Sequence, residues 1–328
     1  MDALSEVLKA VTLESAFFYN AEFSAPWSFL SPQSSTLAPY LNRSSGHVIV
    51  YHLLIEGKAY ARLGSERLTI LPGEVLIFPH GDSHSLESGP GANPVSGEAQ
   101  LQRIFSEGLK LCRIGGRGEI SRFMCGYMVC EPKLSEVLLA GLPGMFKVNL
   151  RSDESGQWVE NAIQHSLLAA EASRAGGGAV LAKLCEALFT ETLRRYMRDL
   201  PEQQTGWLAA ARHPEVGKAL ALMHRQPAAP WTIASLAHQA GISRSVLAER
   251  FRNYLGEPPL AYLTRWRLQL GAQMLSSSSD SIAQIASKVG YESEQAFNRA
   301  FKRKFGSPPA RYRNQLKSES KQRKAARA

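Results

Sequence analysis

The sequence predicts an α+β protein of two domains: an N-terminal β-barrel or jelly roll with following helices, and a C-terminal all-α domain of two helix-turn-helix units joined by a long helix. Three observations predict it. From about Gly46 to Val129, short glycine-punctuated apolar runs alternate with period two, as in "HVIVYHLLIEGKAYARL", the pattern of strands with one face buried. In the last third, one constellation of residues recurs 50 positions later, which marks a duplicated supersecondary unit. The charge is also divided, with 20 Lys and Arg against 7 Asp and Glu from residue 205 onward and 18 against 22 before it. The basic end is therefore expected to meet an anion.

The duplicated unit is explicit. Phe251 is followed by Leu255, Gly256, Pro258, Pro259 and Tyr262, and Phe301 by Phe305, Gly306, Pro308, Pro309 and Tyr312, at the same offsets. Upstream, Ile233, Leu236, Ala237 and Ala240 keep a helical face, as do Ile282, Ile285, Ala286 and Val289. Gly241 and Gly290 follow at once and suit the left-handed end of a helix. Ser243 in one unit and Glu292-Ser293 in the other then supply the cap of a second helix. Between the units, Leu263, Trp266, Arg267 and Leu270 predict one helix from about Leu260 to Leu275.

On the second helices, Leu247 and Phe251, or Phe297 and Phe301, fall on the buried side. Arg244, Ser245, Ala248, Glu249 and Arg252 remain outside in the first unit, and Glu294, Gln295, Asn298, Arg299, Lys302 and Arg303 in the second. Gln, Asn and Arg can pair with base edges, while Lys and Arg near the helix end suit phosphates. The partner these residues predict is double-stranded DNA.

The stretch "SIAQIASKVGYESEQAFNRAFKRKFGSPPARYR" resembles the signature of the AraC/XylS transcription regulators, and the resemblance covers Arg212 to Leu316. It implies two helix-turn-helix units reading successive major-groove segments on one DNA face. It also implies base contacts from Arg244, Ser245, Ala248 and Glu249, and from Glu294, Gln295, Asn298 and Arg299. RNA polymerase is a further partner if the chain is an activator.

In the acidic half, "GEVLIFPHGDSH" at 73–84 fits G-x5-P-x-G-x2-H. It resembles a cupin motif, and more closely the cupin-type sensor domain of many AraC-like regulators. The expected lining is His52, His80, His84 and Cys125, which would suit Zn²⁺ or another divalent metal. A dry pocket or one for an organic ligand is the alternative, because Leu53 and Leu54 follow His52 where a metal-binding cupin shows a second histidine. The sensed effector is thus a small molecule, a metal or an oxidant. The competing reading is a cupin metalloenzyme carrying an accessory DNA-binding module. The incomplete metal triad and the lack of an acid–base pair favour a non-enzyme.

Cys125 and Cys130 are five apart, so an uninterrupted strand sends them to opposite faces. Cys112 lies in the Gly-rich "CRIGGRGE", where neighbouring arginines could lower its pKa. No run approaches 18 uncharged apolar residues, and the first residues lack a secretory pattern. The expected location is the cytoplasm, without membrane contact and with reduced thiols.

The expected organisation is a sensor domain over 1–155, a helical pair over 156–200 broken at Gly176 to Gly178, and a linker at 201–211. The DNA-binding domain follows over 212–316, then a basic tail over 317–328. The helical pair is expected to join two copies into a homodimer.

Overall fold

The computed structural model describes residues 2–10, 13–37, 47–90, 92–98, 100, 112–130, 139, 141–171 and 177–325. It forms two compact units. One holds Val11–Ser135 with Leu142–Leu200; the other holds Met1–Ala10 and Glu136–Gly141 with Pro201–Ala328.

The first unit is the expected barrel of two sheets. One sheet has the order β11-β6-β3-β10-β1-β9, from Phe146–Asn149, Glu74–Phe78, His47–Glu56, Ile120–Cys130, Leu13–Ser24 and Cys112–Gly115 respectively. The other has the order β5-β4-β7-β2-β8, from Glu66–Ile70, Ala59–Leu63, His84–Glu87, Ser28–Ser31 and Pro94–Ser96. Alternation decides which side chains enter the barrel. Tyr19, Phe23, Val50, Leu54, Phe78, Leu86, Cys125 and Tyr127 form its core. β3 is buried on both faces, with seven consecutive buried residues. Its inward side chains fill the barrel, while Tyr51 faces outward to Cys185 (Oη to Sγ 2.9 Å).

Two helices close this unit, α3 (Glu154–Glu171) and α4 (Gly177–Asp199), after the short α2 (Ser34–Leu37) earlier in the chain. The expected break between α3 and α4 at Gly176 lies outside the described residues; Gly177 and Gly178 open α4. Arg195 of α4 is 1% exposed. It pairs with Glu191 at 2.9 Å and with Asp153, and its Nη1 donates to Ser152 Oγ at 2.6 Å. A buried guanidinium needs such partners, because an uncompensated charge there costs several kcal/mol.

The second unit is helical throughout its described elements. It contains α1 (Ala3–Ala10), α5 (Trp207–Arg212), α6 (Pro214–Arg225), α7 (Ile233–Ala240), α8 (Arg244–Leu255), α9 (Pro259–Ser277), α10 (Ile282–Lys288), α11 (Glu294–Phe305) and α12 (Pro309–Ala325). The placement of α1 differs from the expected sensor domain, which began at residue 1. Ala3, Leu4 and Val7 share one stripe of α1 and are buried, and α1 packs on α5 and α6. A three-residue apolar stripe on so short a helix does not reveal its partner.

The two helix-turn-helix units are built alike. Ser243 and Ser293 cap α8 and α11 through their side-chain oxygens. Thr232 and Ser281 cap α7 and α10 with capping boxes. The turns match bond for bond: Ile242 N–H donates to Ala237 O, and Tyr291 N–H to Ala286 O. Gly241 and Gly290 take φ of 81° and 84°, a region costly for residues with a Cβ. At Gly290 a Cβ would also lie 2.7 Å from Ala228 Cα and 2.9 Å from the Arg267 guanidinium carbon.

Candidate nucleic-acid interface and barrel interior

The second helix of each unit stands on an apolar floor. Leu247 and Phe251 of α8, and Phe297, Ala300 and Phe301 of α11, are buried. Tyr262 lies edge-on to Phe251 at 6.1 Å, and Tyr312 edge-on to Phe301 at 5.3 Å. With these faces turned inward, helical geometry puts the opposite positions outside. Arg244, Ser245, Glu249 and Arg252 are exposed on α8 and Ala248 is half-buried; Glu294, Gln295, Arg299, Lys302 and Arg303 are exposed on α11 and Asn298 is half-buried. Arg250 turns aside to Glu215, with Nη1 3.0 Å from its carboxylate.

α9 joins the units, one residue longer at its start and two at its end than the apolar spacing shows. Arg267 on it donates from Nε to Pro227 O at 2.7 Å and from Nη2 to Ala229 O at 2.8 Å. The same guanidinium lies under the Gly290 turn, so one side chain touches both units.

The first helix-turn-helix unit contains a polar core that sequence reasoning missed. His224 stacks on Trp266 at 4.1 Å and faces Tyr262. Trp207 Nε1 donates to Tyr262 Oη at 2.8 Å, and Tyr262 Oη lies 2.7 Å from His224 Nε2. Indole can only donate, so Tyr262 Oη accepts from Trp207 while lying within hydrogen-bond distance of His224 Nε2. Burial pulls His224 down to about 3, which keeps it neutral. The available signal was the aromatic cluster Trp207, His224, Tyr262 and Trp266 at helix-facing positions.

Three of the four expected barrel residues meet. Pairing places Tyr19 opposite Cys125 and Cys125 opposite His52, while Ser31 lies opposite His84 on the other sheet. His52 Nδ1 is 3.0 Å from Cys125 Sγ, and His52 Nε2 is 2.8 Å from His84 Nε2. His84 Nδ1 is 2.8 Å from Asp82 O. That carbonyl fixes every proton along the row. His84 Nδ1 must donate to it, so in a neutral ring Nε2 accepts. His52 therefore donates from Nε2 and accepts at Nδ1, and the Cys125 thiol donates to it. Burial first, and the neighbouring His84 second, hold His52 well below the ordinary histidine value. Burial brings His84 down to about 4, and it is the leading cause that pushes the Cys125 thiol up. The Trp27 indole N–H is buried in this interior without a hydrogen-bond partner.

His80 does not join them. Its Nε2 meets Leu142 O at 3.1 Å and its ring stands edge-on to His47 at 6.5 Å. The expected four-residue set is corrected to three, because His80 lies on the turn after β6 and not on an inward strand position. The three also do not fit a metal ion as placed. Cys125 and His84 sit on opposite nitrogens of the His52 ring and cannot share one ion with it. Among the described residues no group of three or more His, Cys, Asp or Glu is arranged to hold a metal. Cys130 is buried on the other face of β10, with its thiol 3.6 Å from His47 O, and no disulfide joins any of the described cysteines.

Comparison with known proteins assigns both units. The profile described as Cupin matches residues 2–198, and that of the Helix-turn-helix domain matches 236–315. An AraC-like transcription regulator of Streptomyces lividans is 35% identical over 76% of this chain and 80% of its own length. The chain belongs to the AraC/XylS family of transcription regulators, with a cupin domain at its N-terminal end. AlkR of Acinetobacter baylyi, an HTH-type transcriptional regulator, is 29% identical over 96% of this chain and all of its own. RclR of Escherichia coli, an RCS-specific HTH-type transcriptional activator, is 27% identical over 97% and 99%. As in this family, the helix-turn-helix domain implies binding to double-stranded DNA. No described helix is long and apolar enough to cross a membrane.

The buried histidines predict an acid-sensitive fold. His52, His84 and His224 titrate lower when folded than the ordinary value near 6.5. The unfolded chain therefore binds more protons just below that value, and stability falls as pH falls through the window. For His84 alone the loss between about pH 6.5 and 4 amounts to about 3 kcal/mol. Denaturant unfolding at stepped pH should show a steady decline from about pH 6.5 to 5.5, above the range where carboxylates contribute. A flat profile there would contradict neutral buried rings.

Proposed function

We propose that the chain is a sequence-specific regulator of transcription that grips one face of a duplex with α8 and α11 and is controlled through its barrel interior. The observation that carries the reading is the pair of bond-for-bond matched turns presenting exposed Arg, Gln and Lys side chains on a shared helix. In this reading Arg244, Ser245, Ala248 and Glu249, with Glu294, Gln295, Asn298 and Arg299, face base edges. Arg252, Lys302 and Arg303 hold phosphates, which position the helices without specifying sequence. α3 and α4 join two copies. RNA polymerase is the further partner for an activator, the role printed in the name of the relative RclR.

The controlling effector acts at His52, His84 and Cys125. This row is a conduit of neutral hydrogen bonds, so any ligand or oxidant that takes one partner leaves the next unsatisfied, at a cost of about 1–3 kcal/mol. The divergent nitrogens of His52 favour a small molecule or oxidant over a metal, and count against the metalloenzyme reading. An effector controls DNA binding only by preferring one of two arrangements of the protein.

The assignments are separable. Arg299→Ala should cost about 1–3 kcal/mol of specific binding and relax selectivity at one base pair; an unchanged ratio of target to random affinity refutes a base-reading role. Lys302→Ala should weaken binding to all duplexes alike and lower the salt slope by about 1, and an unaltered slope excludes phosphate contact. A small-molecule thermal-shift screen should find a compound that raises the unfolding midpoint of the full chain but not that of His84→Ala. Equal shifts in both place the effector elsewhere.

A further inference from the structure

The row from Cys125 to His84 is one half of a larger polar ring inside the barrel. Tyr19 is paired opposite Cys125 across β1 and β10. Its ring stacks on that of Tyr127, with centroids 6.2 Å apart. Tyr127 stands two residues after Cys125 on β10, so both enter the interior. Burial pushes the Tyr127 phenol up, while the nearby hydroxyls of Tyr19 and Ser31 act against it. Ser31 in turn is paired opposite His84. The ring therefore runs through Cys125, His52, His84, Ser31, Tyr127 and Tyr19, and each of the six is at most 2% exposed.

The two halves of the ring differ in one respect. Along the row every proton meets an acceptor. In the other half, Tyr127 Oη and Ser31 Oγ are buried without a hydrogen-bond partner among the described residues. Folded proteins rarely leave such groups unbonded. Each hydroxyl can give one proton and accept another, so a single oxygen atom placed between them would serve both. The occupant has to be uncharged, because an ion buried without a counter-charge is costly. The buried charges described in this unit are already paired, Glu160 with Arg151 and Arg195 with Asp153 and Glu191. The adjoining wall is aromatic: Phe123, two residues before Cys125, lies edge-on to Phe23 and Trp27 at 5.7 and 6.0 Å. That wall suits an apolar body.

We infer that the ring binds one small uncharged molecule with an apolar body and a hydroxyl or carbonyl oxygen, which bonds Tyr127 Oη and Ser31 Oγ. The assignment rests on the reading of the barrel interior as the seat of control. It adds the chemical class of the effector and two residues outside the row of three. Ser31 borders His84 and Tyr19 borders Cys125, so the occupant is felt at both ends of the row.

The test compares the full chain with Tyr127→Phe and Ser31→Ala. The probes are 1-hexanol, cyclohexanol, cyclohexanone and 4-methylphenol, their oxygen-free counterparts hexane, cyclohexane and toluene, and the carboxylates hexanoate and 4-methylbenzoate. Without a probe, Tyr127→Phe should unfold at the same or a higher temperature than the full chain, since the lost hydroxyl was unbonded. A lower midpoint shows that the hydroxyl is bonded within the fold and overturns the site. At least one oxygenated probe should raise the midpoint of the full chain and bind about 3- to 10-fold more tightly than its counterpart, the range of one hydrogen bond. That preference should vanish in Tyr127→Phe and shrink in Ser31→Ala, and the carboxylates should shift nothing. A preference that survives both substitutions, stronger binding of a carboxylate, or no response to any probe overturns the assignment. In any of these cases a compound of another class that stabilises the full chain but not His84→Ala keeps the barrel as the seat of control. If no compound separates the full chain from His84→Ala, that reading falls as well.

Discussion

The helical unit depends on one half-buried cation. Arg267 is wedged between the loop after α6 and the turn before α11, with both donor groups spent on the carbonyls of Pro227 and Ala229. Those carbonyls lie in the loop after a helix and before a proline, and Ala229 O accepts from the Trp231 N–H as well at 2.7 Å. The guanidinium serves them from the connecting helix, and the absence of a Cβ at Gly290 leaves room for it. The polar clasp thereby adds to the apolar packing of α9, whose Leu263, Trp266, Leu268, Leu270 and Leu275 are buried. Each bundle alone is small, and small cores are marginal.

The barrel follows the opposite logic. A directed row runs through its interior from Cys125 through His52 and His84 to the Asp82 carbonyl, beside the buried polar groups of Tyr19, Tyr127 and Trp27. Every member is neutral, and the protons can be arranged in one way only. Such a row is tolerated in a low-dielectric core because each donor meets one acceptor. It also keeps the thiol protonated, which makes the resting cysteine a poor nucleophile.

Much of this was legible because the sequence repeats itself. Glycine, paired prolines and phenylalanine at equal offsets left little freedom in the helical unit, and the caps at Ser243 and Ser293 stood where helical spacing required them. In the barrel, period two brought His52 and Cys125 to the interior. Spacing could not place His80, since a turn residue obeys no alternation. Nor could it give the direction of His52's two nitrogens, which sets Cys125 and His84 on opposite sides of the ring. The attachment of α1 to α5 and α6, the Arg195 cluster and the stacked His224 all rest on contacts between residues distant in the chain, to which local patterns are blind.

α9 acts as a ruler. Its 19 residues form a continuous rod about 28 Å long, clamped at mid-length and unable to stretch as a flexible tether would. DNA completes a turn in about 34 Å. For a duplex engaged at both ends of the rod, spacing is dictated by a covalent length, not by an adaptable hinge. One inserted base pair would rotate the outer element out of reach by roughly a tenth of a turn, so such targets should vary freely in composition between the elements but hardly at all in number of steps.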